Sequence, residues 1–339
     1  MQEKLVQTLR NPANLIKIIP IFSFSISLLM LYFIYPESYE ATWKGRTYYL
    51  FFLWLIFLKL LLNWEKIQVK IQKLKSIRFV SLLILILMPV VYVFVANFAG
   101  LNMVIVEVSP KHYYPGADPY YWARLMPLSV EYLVFALLFA LMILTAYGKG
   151  SLGIFSLPLS FIIIIGSIYM IDNLYPFGEF APFQIIVPTT TVLAAKFLSF
   201  MGYQTRIAGE VYGTPRLIVW NEKGIASYGI AWPCSGVDSL LLYSVVTILF
   251  LNNSFISRKR GIIYFLIGAI VTYLINILRI ATIFIIAINH GTYSPEVQRF
   301  HDYYGPLYSI TWIVSYPLLI IMAHSIWSKL KRKSPEDSA

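Results

Sequence analysis

Apolar runs of about twenty residues recur from one end of this chain to the other, each long enough to cross a bilayer as a helix. Backbone inside hydrocarbon must satisfy its own hydrogen bonds, so such a chain has few folds open to it. The expected fold is all-α, a polytopic transmembrane helical bundle. About eight spans are expected, at 15–35, 47–64, 79–99, 129–147, 152–171, 236–256, 261–289 and 306–327. Hydrophobic residues make up 58% of the chain and charged ones 13%, against roughly 25% charged in a soluble domain. Residues 15–35 are too long for the apolar core of a signal peptide, and no small-residue cleavage site follows them, so they read as a span. With no repeat, low-complexity tract or soluble domain, residues 1–339 read as a single integral-membrane domain.

The net charge is +11, but the basic residues stand in short clusters between the apolar runs. That spacing fits membrane orientation rather than nucleic-acid binding. Lys4 and Arg10 precede the first span and Lys17 stands in its first turn, and Lys66, Lys70, Lys73, Lys75 and Arg78 follow the second. Lys149, then Arg258, Lys259 and Arg260, then Lys329, Lys331, Arg332 and Lys333 complete the set. All fall on one side if both termini are cytoplasmic. Lys59 sits near one end of the short second span, where it can snorkel. Residues 184–201, QIIVPTTTVLAAKFLSFM, are apolar but carry Pro188, three threonines and Lys196, which favours a re-entrant or interfacial helix. Beyond them, PRLIVW and IASYGIAW flank the turn NEKG, a small extracytoplasmic β-hairpin that leads to Cys234.

Cys234 is the only cysteine, in AWPCSGVDSLLL. Ser235-Gly236-Val237-Asp238 has the Ser-x-x-Asp spacing of a capping box, so Ser235 is expected to cap the sixth span. A thiol one residue earlier feels the positive end of the helix dipole, which favours thiolate. A lone cysteine is more often a small buried hydrophobe. Arg279 lies deep in the apolar run TYLINILRIATIFIIAINHG, about 27 Å along a helix from the basic cluster at 258–260. A charge inside a span marks a functional site, the alternative being an arginine that snorkels to the outer headgroups. Asn276 precedes it by three positions, on the same helix face. His301, in QRFHDYYGPLY, stands outside just before the last span. His290, at the end of the seventh span, is its rival, while His324 is on the cytoplasmic side and His112 in another outer loop. Thiol, guanidinium and imidazole supply a nucleophile, a charge stabiliser and a proton carrier. One cysteine and one or two histidines are too few ligands for a metal site, and there is no glycine-rich phosphate loop, so no cofactor is expected.

CSG at 234–236, NILRI at 276–280 and HDYYG at 301–305, in that order, resemble the exosortase/archaeosortase family of integral-membrane cysteine transpeptidases. The resemblance covers roughly residues 165–325 as a catalytic region, and the spans within 1–164 add a compatible architecture. It implies cleavage of secreted proteins that end in a short motif, a transmembrane helix and a basic tail. The cysteine attacks near the motif to give a thioester, which a second nucleophile resolves, a lipid head group being one candidate. It implies Cys234 as nucleophile, Arg279 as thiolate or oxyanion stabiliser and His301 as proton carrier, at the extracytoplasmic face of the cell membrane. Ser235, Asp238 and Asn276 are expected to support them, the last two by orienting Arg279. The segments 202–231 and 290–305 are candidates to shield the thioester from water.

Two other classes fit parts of the sequence. A transporter would use Arg279 as a substrate or counter-ion site and would work without Cys234. A ligase for lipid-linked glycans would carry large outer loops rich in Arg, Asp and Glu, whereas the outer loops here are modest.

Overall fold

A computed structural model describes residues 12–39, 44–71, 76–114, 118–211, 213–252 and 256–333. The chain forms two compact units, Met1–Pro176 and Phe177–Ala339.

The first unit is helical: α1 (Pro12–Ile34), α2 (Thr47–Leu62), α3 (Ile77–Phe98), α4 (Leu101–Val108), α5 (Tyr121–Tyr147) and α6 (Ser156–Leu174). Phe24 of α1, Phe52 of α2 and Phe139 of α5 are fully buried and meet edge to face, with ring centroids 5.1–5.8 Å apart. On α3 the helically spaced Ile84, Leu87, Val91 and Phe94 are instead exposed. An apolar face of that extent suits lipid. The helix α5 begins at Tyr121, earlier than the span expected from 129. Its Glu131 is buried and takes a two-pronged contact from Arg46, Nε to Oε1 at 2.9 Å and Nη2 to Oε2 at 3.1 Å. The charge is neutralised within the unit, so it does not end the helix.

The second unit begins with α7 (Ala181–Gln184) and α8 (Val187–Phe200), followed by strands β1 (Gln204–Val211), β2 (Thr214–Asn221) and β3 (Gly224–Gly229). A single 3₁₀ turn, Trp232–Ser235, leads into α9 (Val237–Asn252) and α10 (Arg258–His290). The short α11 (Pro295–Arg299), a π turn at Phe300–Tyr304 and α12 (Gly305–Lys333) complete it. The sheet is antiparallel in the order β1-β2-β3. The expected hairpin is therefore its second half. The missed strand, QTRIAGEV, mixes charged and small residues and gives little alternation to read. Leu217, Val219 and Ala226 bury one face of the sheet against Ala194 and Leu198 of α8 and Ile280, Phe284 and Ile288 of α10.

Among the described residues, seven helical segments are long and apolar enough to cross a membrane, by length and composition. Six coincide with expected spans. The seventh is Ala181–Phe200, the segment expected to re-enter or lie at the interface. The expected second and sixth spans correspond to α2 and α9, each of 16 residues. At about 24 Å these fall short of a hydrocarbon core of about 30 Å. Lys59 is buried on α2. The basic residues Lys4, Arg10, Lys73 and Lys75 lie outside the described residues.

Candidate active site

The local path of the chain sets the position of Cys234. Strand β3 ends at Gly229, and Ile230 N–H still donates to Pro215 O at 3.0 Å. The backbone then closes one tight turn in which Cys234 N–H donates to Ala231 O at 3.0 Å. Ser235 is fully buried, and its hydroxyl donates to Trp232 O at 2.6 Å. Gly236 has φ +99° and its carbonyl accepts the first helical bond, from Leu240 N–H at 3.0 Å. The cap is therefore Gly236, one residue after the expected Ser235, whose hydroxyl holds the preceding turn closed instead. The left-handed φ favours glycine, and a Cβ there would come within 2.9 Å of the Asn276 side chain.

Asn276 is fully buried on α10 and donates from Nδ2 to Cys234 O at 3.0 Å. It thus holds the cysteine's own backbone, not Arg279 as helix spacing suggested. Its Oδ1 has no hydrogen-bond partner among the described residues. One turn along α10, Arg279 donates from Nη2 to His301 O at 3.1 Å. Its Nε is buried without a partner among the described residues and lies against Gly305, where a Cβ would approach to 2.7 Å. The side chain of Asp238 lies outside the described residues.

His301 Nε2 is 4.0 Å from Cys234 Sγ, and its Nδ1 is 2.7 Å from Asp302 Oδ1. A carboxylate can only accept, so the Asp302 contact places a proton on Nδ1 and leaves Nε2 of the neutral ring free to accept from the thiol. The sequence alone assigns Asp302 no role, although it stands in HDYYG beside His301. Sequence adjacency alone does not tell whether two side chains turn toward each other, and here the π turn decides it. His290, at the C-terminal end of α10, does not line the site. His112 is bound to Asn173 O in the first unit.

A cavity of about 550 Å³ opens beside the thiol. Ile230, Ile280, Ile283, Phe284 and Val297 form its apolar wall, and Tyr228, Thr292, Ser294 and Gln298 add neutral polar groups. Tyr228 donates from its hydroxyl to Thr292 O at 2.5 Å. Burial pushes that phenol's pKa up, which keeps it a neutral donor. The two segments expected to shield the site, 202–231 and 290–305, both contribute to this wall.

The helices and the thiol–imidazole geometry define a multi-pass helical membrane protein with a paired cysteine and histidine beside a cavity. Residues 42–320, most of the chain, match the family described as transmembrane exosortase (Exosortase_EpsH), and the chain belongs to that family. It is thereby a membrane-embedded enzyme of a family that acts on secreted proteins bearing sorting signals. No curated protein and no solved structure matches it.

Proposed function

We propose that this enzyme is a cysteine transpeptidase that cuts the C-terminal sorting signal of secreted proteins at the extracytoplasmic face and passes them to an acceptor. The observation that carries the reading is the Cys234–His301–Asp302 line, with 4.0 Å from Sγ to Nε2 and 2.7 Å from Nδ1 to Oδ1. In the first half-reaction the thiol proton passes to Nε2, and Sγ attacks the scissile carbonyl carbon. The C–N bond then breaks. The leaving amine takes the proton from Nε2, and the acyl group remains on sulfur as a thioester. In the second half an acceptor hydroxyl or amine gives its proton to Nε2 and attacks the thioester carbonyl. The new bond forms and sulfur leaves as thiolate, which recovers the proton. A membrane lipid head group is an acceptor suited to a membrane-embedded site.

Charge builds on the carbonyl oxygen in both halves and needs a donor. The Cys234 amide is already spent on Ala231 O, whereas Arg279 gives one bond, to His301 O, among the described residues. Arg279, with five N–H groups, is the donor assigned here. Asn276 and Ser235 position Cys234, and Asp302 fixes the imidazole tautomer. The apolar cavity wall favours acyl transfer by limiting water around the thioester.

The test follows a membrane-anchored precursor and its processed form in cells. Cys234→Ala is expected to abolish conversion with normal protein level and insertion. Full conversion by Cys234→Ala would overturn the reading and favour a transporter.

A further inference from the structure

We infer that the peptide segment beside the scissile bond binds as an added strand on the free edge of β3. The inference rests on the transpeptidase reading and concerns how the same site holds its substrate. The hydrogen-bond phase of the sheet gives the direction of each backbone group. Ile230 pairs with Pro215 through the bond from its N–H. In an antiparallel ladder, hydrogen-bonded pairs alternate with unbonded ones. The register Gly229↔Arg216, Tyr228↔Leu217 and Ser227↔Ile218 therefore makes Tyr228, Ala226 and Gly224 the residues bonded to β2. Ile225, Ser227 and Gly229 turn their N–H and C=O to the other side, where no strand is paired among the described residues.

That edge runs into the candidate site. Tyr228, Gly229 and Ile230 line the cavity that holds Cys234 and His301. Only four residues separate Gly229 from Cys234. A row of alternating main-chain donors and acceptors is complementary to an extended polypeptide, which supplies the same groups at the same two-residue spacing. Main-chain bonds of this kind would hold different side-chain sequences in one register and draw a carbonyl toward the sulfur. The apolar wall of the cavity would take the side chains that alternate toward it. The occupant is thus an extended substrate segment ahead of its own transmembrane helix, recognised through its backbone.

Proline tests this without touching the chemistry. At Ser227 it removes an N–H that faces the free edge and leaves the main-chain β2–β3 bonds in place, although the hydroxyl that accepts from Arg216 Nε at 2.7 Å goes with it. Ile207, exposed on β1, has the same outward phase on the opposite edge, because its neighbours Arg206 and Ala208 are the residues phased to bond β2. In the full chain, co-expressed with a secretory precursor carrying the C-terminal signal, Ser227→Pro should slow processing about tenfold, the effect of losing a hydrogen bond of roughly 1.5 kcal/mol. Ile207→Pro should process at the wild-type rate, and Ser227→Ala, which loses the same hydroxyl but keeps the N–H, should process faster than Ser227→Pro. Cys234 should alkylate at the wild-type rate in all three, which reports an intact site. A second arm keeps the enzyme unchanged and moves one proline along the ten or so residues ahead of the cut. Processing should fall at every second position. Wild-type processing by Ser227→Pro, or a proline scan without that alternation, overturns edge docking while leaving the transpeptidase reading intact. Full processing by Cys234→Ala overturns the latter instead.

Discussion

In the proposed reaction one sulfur atom, that of Cys234, carries the chemistry and three neighbours set its surroundings. Cys234→Ser should be almost inactive, because a hydroxyl at its ordinary pKa is a much weaker nucleophile. His301→Ala should lower the processing rate by about 10²–10⁴-fold, the range for a lost acid–base group, and His290→Ala by far less. The reverse order would keep the nucleophile and change the histidine. Arg279→Lys should be strongly impaired although it keeps the charge, because the planar fork is lost. Each rate is read as precursor converted per unit of enzyme. The sequence already separates Cys234, Arg279 and His301 from the apolar background, since a lone thiol and a charge within an apolar run stand out. It left His301 and His290 nearly level, because both lie near the same end of a span. Their separation is three-dimensional: the π turn brings His301 to within 4.0 Å of Sγ. Asp302 and the true partner of Asn276 were illegible for the same reason.

Two glycines leave room for groups assigned to the proposed reaction. Gly236 starts α9 in a left-handed conformation with Asn276 packed where a Cβ would stand. Gly236→Ala should therefore strain the turn and push Asn276 away from Cys234 O. Processing should fall by at least about tenfold, and a Gly236→Ala enzyme at the wild-type rate would remove this positioning argument. Gly305, at the junction of the π turn and α12, has an ordinary helical φ but likewise leaves room, a Cβ there coming within 2.7 Å of Arg279 Nε. In the first unit, Glu131→Ala should leave Arg46 buried and unpaired and cost about 3–5 kcal/mol of stability, measured by unfolding of the purified protein. Element existence was largely legible here, because apolar runs of span length are a strong signal. The boundaries were not. The first turns of α5, which carry Arg124 and Pro127, fell outside the expected span, and the weakly patterned β1 hid the third strand.

The whole molecule is a multi-pass membrane protein, and its orientation rests on where the basic clusters fall. The proposed topology puts Ser257 and Glu222 on opposite faces. In a Cys234→Ala background, single cysteines at these two positions should react with an impermeant thiol reagent from opposite sides. Labelling of both from outside would remove the shared outer face from the account. The central claim is that Cys234 carries the cut protein, and mass spectrometry of the enzyme isolated with its precursor tests it most directly. The peptide containing Cys234 should gain the mass of the substrate fragment ahead of the cut, and hydroxylamine should remove it, as expected for a thioester. Conversion of the precursor with no adduct at Cys234, and undiminished in Cys234→Ala, would contradict the account.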